Sequence, residues 1–260
     1  MPDLLVRAVV GATVSVIVSV VAYRAHSLST SGAITGSAMG TIAIAAGWSW
    51  GALLLSMFIS VSWLSQIGSA KKTSRLASVV AKGGDRDAAQ LVANGAVFTV
   101  AALGSTIWPA QSWYAIAAGA LAFSAADTWA TEIGTLARGD PRSIVTWRTV
   151  PAGTSGGVSF HGTVAAVAGA LFIASLASFA GWPVSFAAVA LGGVIAALAD
   201  SVIGATLQVQ RWCPTCGKPT ERAVHDCGTP TKIAGGIRAL NNDAVNALCS
   251  AIGALIALVL

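Results

Sequence analysis

Apolar residues run almost unbroken through 4–23, 33–67, 88–106, 110–126, 159–181, 184–199 and 243–260. Several of these runs reach the roughly 20 residues that a helix needs to cross a hydrocarbon core of about 30 Å. Lipid offers backbone groups no hydrogen-bond partners, so such runs predict helices and not open strands. The run 33–67 is long enough for two short spans broken around Gly47-Trp48-Ser49-Trp50-Gly51. Two spans there give eight in all, with the N-terminus outside; a re-entrant 31–47 would give seven, with the N-terminus inside. We favour two. The expected fold is all-α, a polytopic membrane helix bundle of about seven to eight transmembrane helices, in a single integral-membrane domain covering 1–260.

Composition agrees, since 55% of residues are hydrophobic and 10% charged, far from an ordinary soluble domain. The first run follows Arg7 but lacks a clean small-residue cleavage site, so it reads as a retained helix and not as a signal peptide. Thirteen of the fifteen Lys and Arg lie in three loops, 68–87, 136–158 and 209–241. The positive-inside rule puts all three on the cytoplasmic side, and two spans between consecutive loops keep the parity consistent. Such a basic side attracts anionic headgroups or a polyanionic substrate; no nucleic-acid partner is expected.

Trp108-Pro109 opens a segment that reaches Asp127-Thr128, and Trp182-Pro183 opens another that reaches Asp200-Ser201, with Trp-to-Asp separations of 19 and 18 residues. An internal helical-hairpin repeat would produce this pattern. At about 1.5 Å per residue both acids lie roughly 27 Å from their Trp anchors, toward the cytoplasmic face. Thr30-Ser31-Gly32-Ala33-Ile34-Thr35 similarly echoes Thr154-Ser155-Gly156-Gly157-Val158-Ser159, each just before a predicted helix. Ser and Thr cap helices, and Gly lets backbone amides converge on an anion; ordinary capping and close packing would need the same residues.

Asp127 and Glu132 sit among small and apolar residues with no Lys or Arg in their helix. A charge buried in a bilayer is expensive and usually functional, so a bound cation or the basic loops must compensate it. Asp200 repeats the problem. Asn241-Asn242-Asp243, with Asn246 a turn later, opens the last helix with a further oxygen-rich face, although an acid at a helix start also serves as a cap. Asp127, Glu132, Asp200 and Asp243 together suit a hard cation such as Mg²⁺, which usually bridges phosphates. Lys82-Gly83-Gly84-Asp85-Arg86, leading to Gln90 and Asn94, could hold phosphates, although positive-inside charge with turn glycines accounts for the same residues more simply. It lacks P-loop spacing. His161 begins a helix beside the second glycine loop, where a histidine is more often interfacial than phosphate-binding.

Cys213-Pro-Thr-Cys216 followed by His225-Asp-Cys227 gives C-x2-C-x8-H-x-C in the loop 209–241, before the last helix. Three thiolates and an imidazole complete a tetrahedral, structural zinc knuckle; a redox dithiol is the alternative, and a disulfide is disfavoured in a reducing compartment. Cys249, in the final helix, reads as packing.

Five ordered motifs resemble one membrane family: Lys82-Gly-Gly-x-Arg86…Gln90…Asn94-Gly95, Ala126-Asp127-Thr-x-Ala-Thr-Glu132-Ile-Gly134, Gly153-Thr154-Ser155-Gly156-Gly157-Val-Ser159, Ala199-Asp200-Ser-x-x-Gly204 and Leu240-Asn-Asn242-Asp243-x-Val-Asn246. It is the family of the domain of unknown function 92, which includes animal transmembrane protein 19 and the plastid phytyl-phosphate kinase of tocopherol synthesis. The resemblance runs from about residue 25 to the C-terminus. It implies transfer of a γ-phosphate from CTP or another NTP to an isoprenyl monophosphate such as phytyl or geranylgeranyl phosphate. Asp127, Glu132, Asp200 and Asp243 would then hold Mg²⁺. Lys82, Arg86, Asn94, Asn242 and Asn246 would meet the phosphates, with Thr154, Ser155, Gly156 and Gly157 cradling one. Ser29-Thr30-Ser31-Gly32 departs from the pattern, lacking the basic residue expected before Ser-Gly. Two other readings remain: a lipid cytidylyltransferase, and an ion-coupled transporter, whose acids would lie nearer the bilayer midplane.

Overall fold

The structure, a computed structural model, describes residues 2–69, 71–72 and 84–260. Among them are eight helices: α1 (Pro2–Arg24), α2 (Thr30–Ala46), α3 (Trp48–Gln66), α4 (Ala88–Ile107), α5 (Ser112–Leu136), α6 (Phe160–Phe179), α7 (Phe186–Thr206) and α8 (Asn242–Val259). All of them except α2 and α5 are long and apolar enough to cross a membrane by length and composition. The all-α polytopic bundle expected from the apolar runs is present. It is supplemented by two small sheets in the loops: β1 (Arg142–Ser143) with β2 (Gly157–Val158), and β3 (Gln210–Cys213) between β4 (Lys218–Thr220) and β5 (Lys232–Gly235).

The run 33–67 does break into two helices, α2 and α3, joined by Gly47 alone. Arg7 of α1 donates to the Ala46 carbonyl at the C-terminal end of α2, satisfying an acceptor that the helix leaves open. Facing small residues join α1 to α2. Gly11, Ser15, Ser19 and Ala22 are the buried positions of α1, and Ser15 and Ser19 lie against Gly40 and Gly36. Without a hydrophobic drive between helices in lipid, this close backbone approach is what holds such a pair together. The other faces of α1 leave Leu5, Val9, Ile17 and Val21 exposed, as lipid-facing side chains should be.

At the centre lies α5. Every residue from Ala117 to Ala126 is buried, so this helix is surrounded by protein and needs less apolarity than its neighbours. Against it pack α6, α7 and α8. A Cβ on Gly253 of α8 would stand 2.7 Å from the Gly119 carbonyl, and one on Gly193 of α7 would lie 2.8 Å from the backbone of Ala122. These approaches leave no room for a side chain.

N-caps mark the helix starts. Ser29 accepts from the amide of Gly32, Asp87 forms a reciprocal box with Gln90, Ser159 accepts from Gly162 and Asn241 from Ala244. The echo at Thr30–Thr35 therefore lies inside the first turns of α2 and not ahead of it, whereas its counterpart at 154–158 does precede its helix. The N-termini of α2, α4, α6 and α8 and the C-termini of α1, α3, α5 and α7 gather at one end of the bundle. Direct contacts show it: Arg86 pairs with Ser27 and Leu28, Lys71 with the Leu136 carbonyl, and Ser155 with Gln208. Basic residues of all three loops lie at this end, opposite Gly47 and the turns at 108–111 and 180–185.

Candidate functional site

Asp127 on α5 and Asp200 on α7 lie on helices of the same direction, nearer the basic end than the other. The structure brings the two acids into electrostatic reach of one another. Cys249 of α8 is buried and lies within electrostatic reach of both acids. Asp200 Oδ2 is buried with no hydrogen-bond partner, and among the described residues neither acid has an ion pair. Two carboxylates in such surroundings repel and are poorly solvated, and a divalent cation relieves both costs. The donors are hard oxygens, which fits Mg²⁺. The Trp ends of the repeat are unlike: Trp108 is exposed, whereas Trp182 is buried and donates to Ser49.

Glu132 lies apart from this pair. Lys72 Nζ approaches its Oε2 at 2.6 Å, Ser65 donates to Oε1 at 2.5 Å, and Arg86 stands 3.8 Å from Oε1. Arg86 also donates to Ser65 Oγ at 2.6 Å, and the buried Lys72 donates to the Leu64 carbonyl near the C-terminal end of α3 at 2.5 Å. The first basic loop compensates this acid, and its oxygens are already engaged. Arg86, expected on phosphates, faces Glu132, the Ser65 hydroxyl and the Val61 carbonyl of α3 in this structure. Burial lowers its pKa, opposed by the Glu132 charge. Lys82 lies outside the described residues.

The glycine loop at 153–157 docks on the last turns of α7. Gly156 has φ 77°, and a Cβ on it would meet the Ser201 carbonyl at 2.6 Å, so glycine is required there twice over. Thr154 Oγ1 is buried without a partner. Ser155 donates to Glu221 Oε1 at 2.5 Å, and Gln208 Nε2 donates to Ser155 Oγ at 2.8 Å and to Glu221 at 3.1 Å. Glu221 also lies in electrostatic reach of Asp200. Sequence reasoning missed it. The available signal was scarcity: Glu132 and Glu221 are the only glutamates in the chain.

On α8, Asp243 lies in the first turn beside the exposed Asn242. Asn246 and Ser250 follow at helical spacing and are buried. Asn94 of α4 accepts from Ser124 of α5 through its backbone carbonyl at 2.7 Å, while its side-chain Oδ1 is buried and unpartnered. Ser124 precedes Asp127 by one turn, so Asn94 stands one turn further from the basic end. His161 is exposed and edge-on to Phe160, outside these contacts.

Cys213, Cys216, His225 and Cys227 converge, with their ligand atoms all within 4.8 Å of one another. Cys213 Sγ lies 3.6 Å from Cys227 Sγ, and His225 Nδ1 lies 3.3 Å from the latter. Hydrogen bonding with Thr229 and His225 pushes the Cys227 thiol down to about 6, while hydrogen bonding with Cys227 pushes Cys216 up to about 11. Three sulfurs and an imidazole at this spacing can hold a metal ion tetrahedrally.

Known proteins share most of this chain. The Arabidopsis thaliana protein named Protein PGR is 32% identical over 92% of this chain and 91% of its own length. An uncharacterized membrane protein of Methanocaldococcus jannaschii is 28% identical over 79% of this chain and 85% of its own. Protein VTE6, chloroplastic, of Arabidopsis thaliana is 29% identical over 52% of this chain and 34% of its own. No solved structure matches. The family described as integral membrane protein DUF92 matches residues 13–254, and with its apolar helices and shared motifs the chain belongs to that integral membrane family.

Proposed function

We propose that this protein is a membrane-embedded kinase that transfers the γ-phosphate of CTP or another nucleoside triphosphate to an isoprenyl monophosphate, giving the diphosphate. The observation that carries the reading is the pair Asp127 and Asp200, half-buried, within electrostatic reach of one another and without an ion pair among the described residues. It lies at the end of the bundle where four helix N-termini and the basic loops meet. Positive helix ends and cations draw phosphates to that end, and a divalent ion answers the acids. The resemblance to the plastid phytyl-phosphate kinase supplies the substrate class.

In this reading Asp127 and Asp200 hold Mg²⁺ with Asp243 from the start of α8, and Asn242 and Asn246 steady its surroundings. Glu132 anchors Lys72 and Arg86 beside the site instead of entering the metal shell. When bound, Mg²⁺ neutralises the phosphate charge. The acceptor phosphate is already anionic at neutral pH, so no dedicated base is needed and catalysis reduces to alignment and charge screening. The loop from Thr154 to Gly157 cradles one phosphate through the amides of Ser155 and Gly156, those of Thr154 and Gly157 donating to Pro151 and Thr154; Lys82 and Arg86 screen charge from the first loop, and Asn94 faces the deeper end. The prenyl tail lies between lipid-facing helices. The basic loops face the cytoplasm by the positive-inside rule. Cys213, Cys216, His225 and Cys227 hold a structural zinc.

The test is incubation of purified protein in detergent with Mg²⁺, γ-labelled CTP or ATP, and phytyl, geranylgeranyl or farnesyl monophosphate. Label in a prenyl diphosphate is the expected result. Release of pyrophosphate with a nucleotide-linked lipid would replace the kinase by a cytidylyltransferase, and absence of both reactions would overturn the enzyme reading.

A further inference from the structure

The segment 210–235 carries three strands yet almost no core. Only Cys213, Thr220 and His225 are buried in it, and two of these belong to the metal-ligand cluster. A piece this small has too little apolar surface to fold on its own, and in such modules metal binding supplies the folding free energy. The ribbon joins the bundle at its base through backbone bonds from Val209 to Leu240 and from Ile237 to Leu207. Away from that base, Glu221 follows β4 directly and reaches across to Ser155 and Gln208. Ser155 lies in the loop closed by β1 and β2, where Ile144 N donates to Gly156 O and Gly157 N to Thr154 O.

We propose that the Cys213–Cys216–His225–Cys227 centre, by holding zinc, clamps the glycine loop at 153–157 through Glu221, making Glu221 a positioning residue of the phosphate cradle. Its position beside the loop depends on the fold of the ribbon, and the fold of the ribbon depends on the metal. Its Oε1 accepts from both Ser155 and Gln208, so it ties the loop to the end of α7 at the level where Gly156 meets Ser201. Only the word cradle rests on the kinase reading; the clamp is a claim about loop order and stands or falls without substrate.

The experiment is hydrogen exchange on the purified full-length protein in detergent, with peptides covering 140–158 and 210–235, alongside elemental analysis for zinc. Glu221→Ala should retain zinc and ribbon protection while exchange at 140–158 speeds by about tenfold, a loss of local protection. Glu221→Gln, which keeps an acceptor for the Ser155 hydroxyl, should restore it. Cys216→Ser should lose zinc and protection in both regions, and Lys218→Ala should change neither. Should Glu221→Ala not fold, stripping zinc from the wild type with a chelator tests the same link. Wild-type exchange at 140–158 in Glu221→Ala, or in protein freed of zinc, would overturn the clamp, as would purified protein that never contained zinc. A functioning clamp in a protein without kinase activity would leave this inference intact and remove the other.

Discussion

Asp127 and Asp200 were visible in the sequence because an acid in an apolar run has no cheap explanation. Replacing either by asparagine keeps the shape and removes a metal-binding charge; turnover of a prenyl monophosphate should fall by roughly a hundredfold or more, measured as labelled diphosphate formed at fixed Mg²⁺. Unchanged Mg²⁺ dependence in both variants would sink the metal site. Glu132 belongs to a different economy of charge. Glu132→Gln leaves Lys72 buried beside an amide, and breaking such a pair costs about 3–5 kcal/mol. Thermal unfolding in detergent should show the loss, and Lys72→Met in the same chain should recover much of it; an unshifted midpoint would mean that the pair is dispensable. The sequence could not separate these roles, because Lys72 and Glu132 are 60 residues apart and a helical wheel shows directions without partners. Glu221 was hidden for the same reason, its partner Ser155 lying 66 residues away.

At the level of elements, the apolar runs predicted the helices well, since length and hydropathy respond to the same bilayer. They said less about which helix lies inside. α5 reads as one span among several, yet it is the enclosed one, and its small residues are there for contact with α6, α7 and α8. The joint at Gly47 was legible because the glycines flanking Trp48-Ser49-Trp50 break the apolar run; the sheets at 142–158 and 210–235 were not, being too short to show a period. Gly253 is one of the positions where backbones meet most closely against α5. Gly253→Val should overpack it and destabilise the fold by about 1–3 kcal/mol, whereas Leu255→Ile on the exposed side of the same helix should leave the melting midpoint within error. Equal effects of the two would mean that the bundle is loosely packed there.

For the molecule as a whole, counting Lys and Arg by loop foretold that three loops share an end, and the contacts among them bear that out. Which side of the membrane that end faces is a prediction with a simple assay. Arg138, Arg142 and Arg148 lie in one basic loop, while among the described residues Arg7 is the only Lys or Arg near the opposite end. Trypsin should therefore cut this loop in inverted vesicles and spare it in sealed right-side-out ones; the reverse pattern would invert the topology. The opposite end has a consequence of its own. A one-residue joint at Gly47 and turns at 108–111 and 180–185 leave little there for a water-soluble reactant to grip. In the kinase reading, donor and acceptor headgroup both come and go at the basic end, so the lipid is altered without being turned over. Its new charge stays in the leaflet where the old one began.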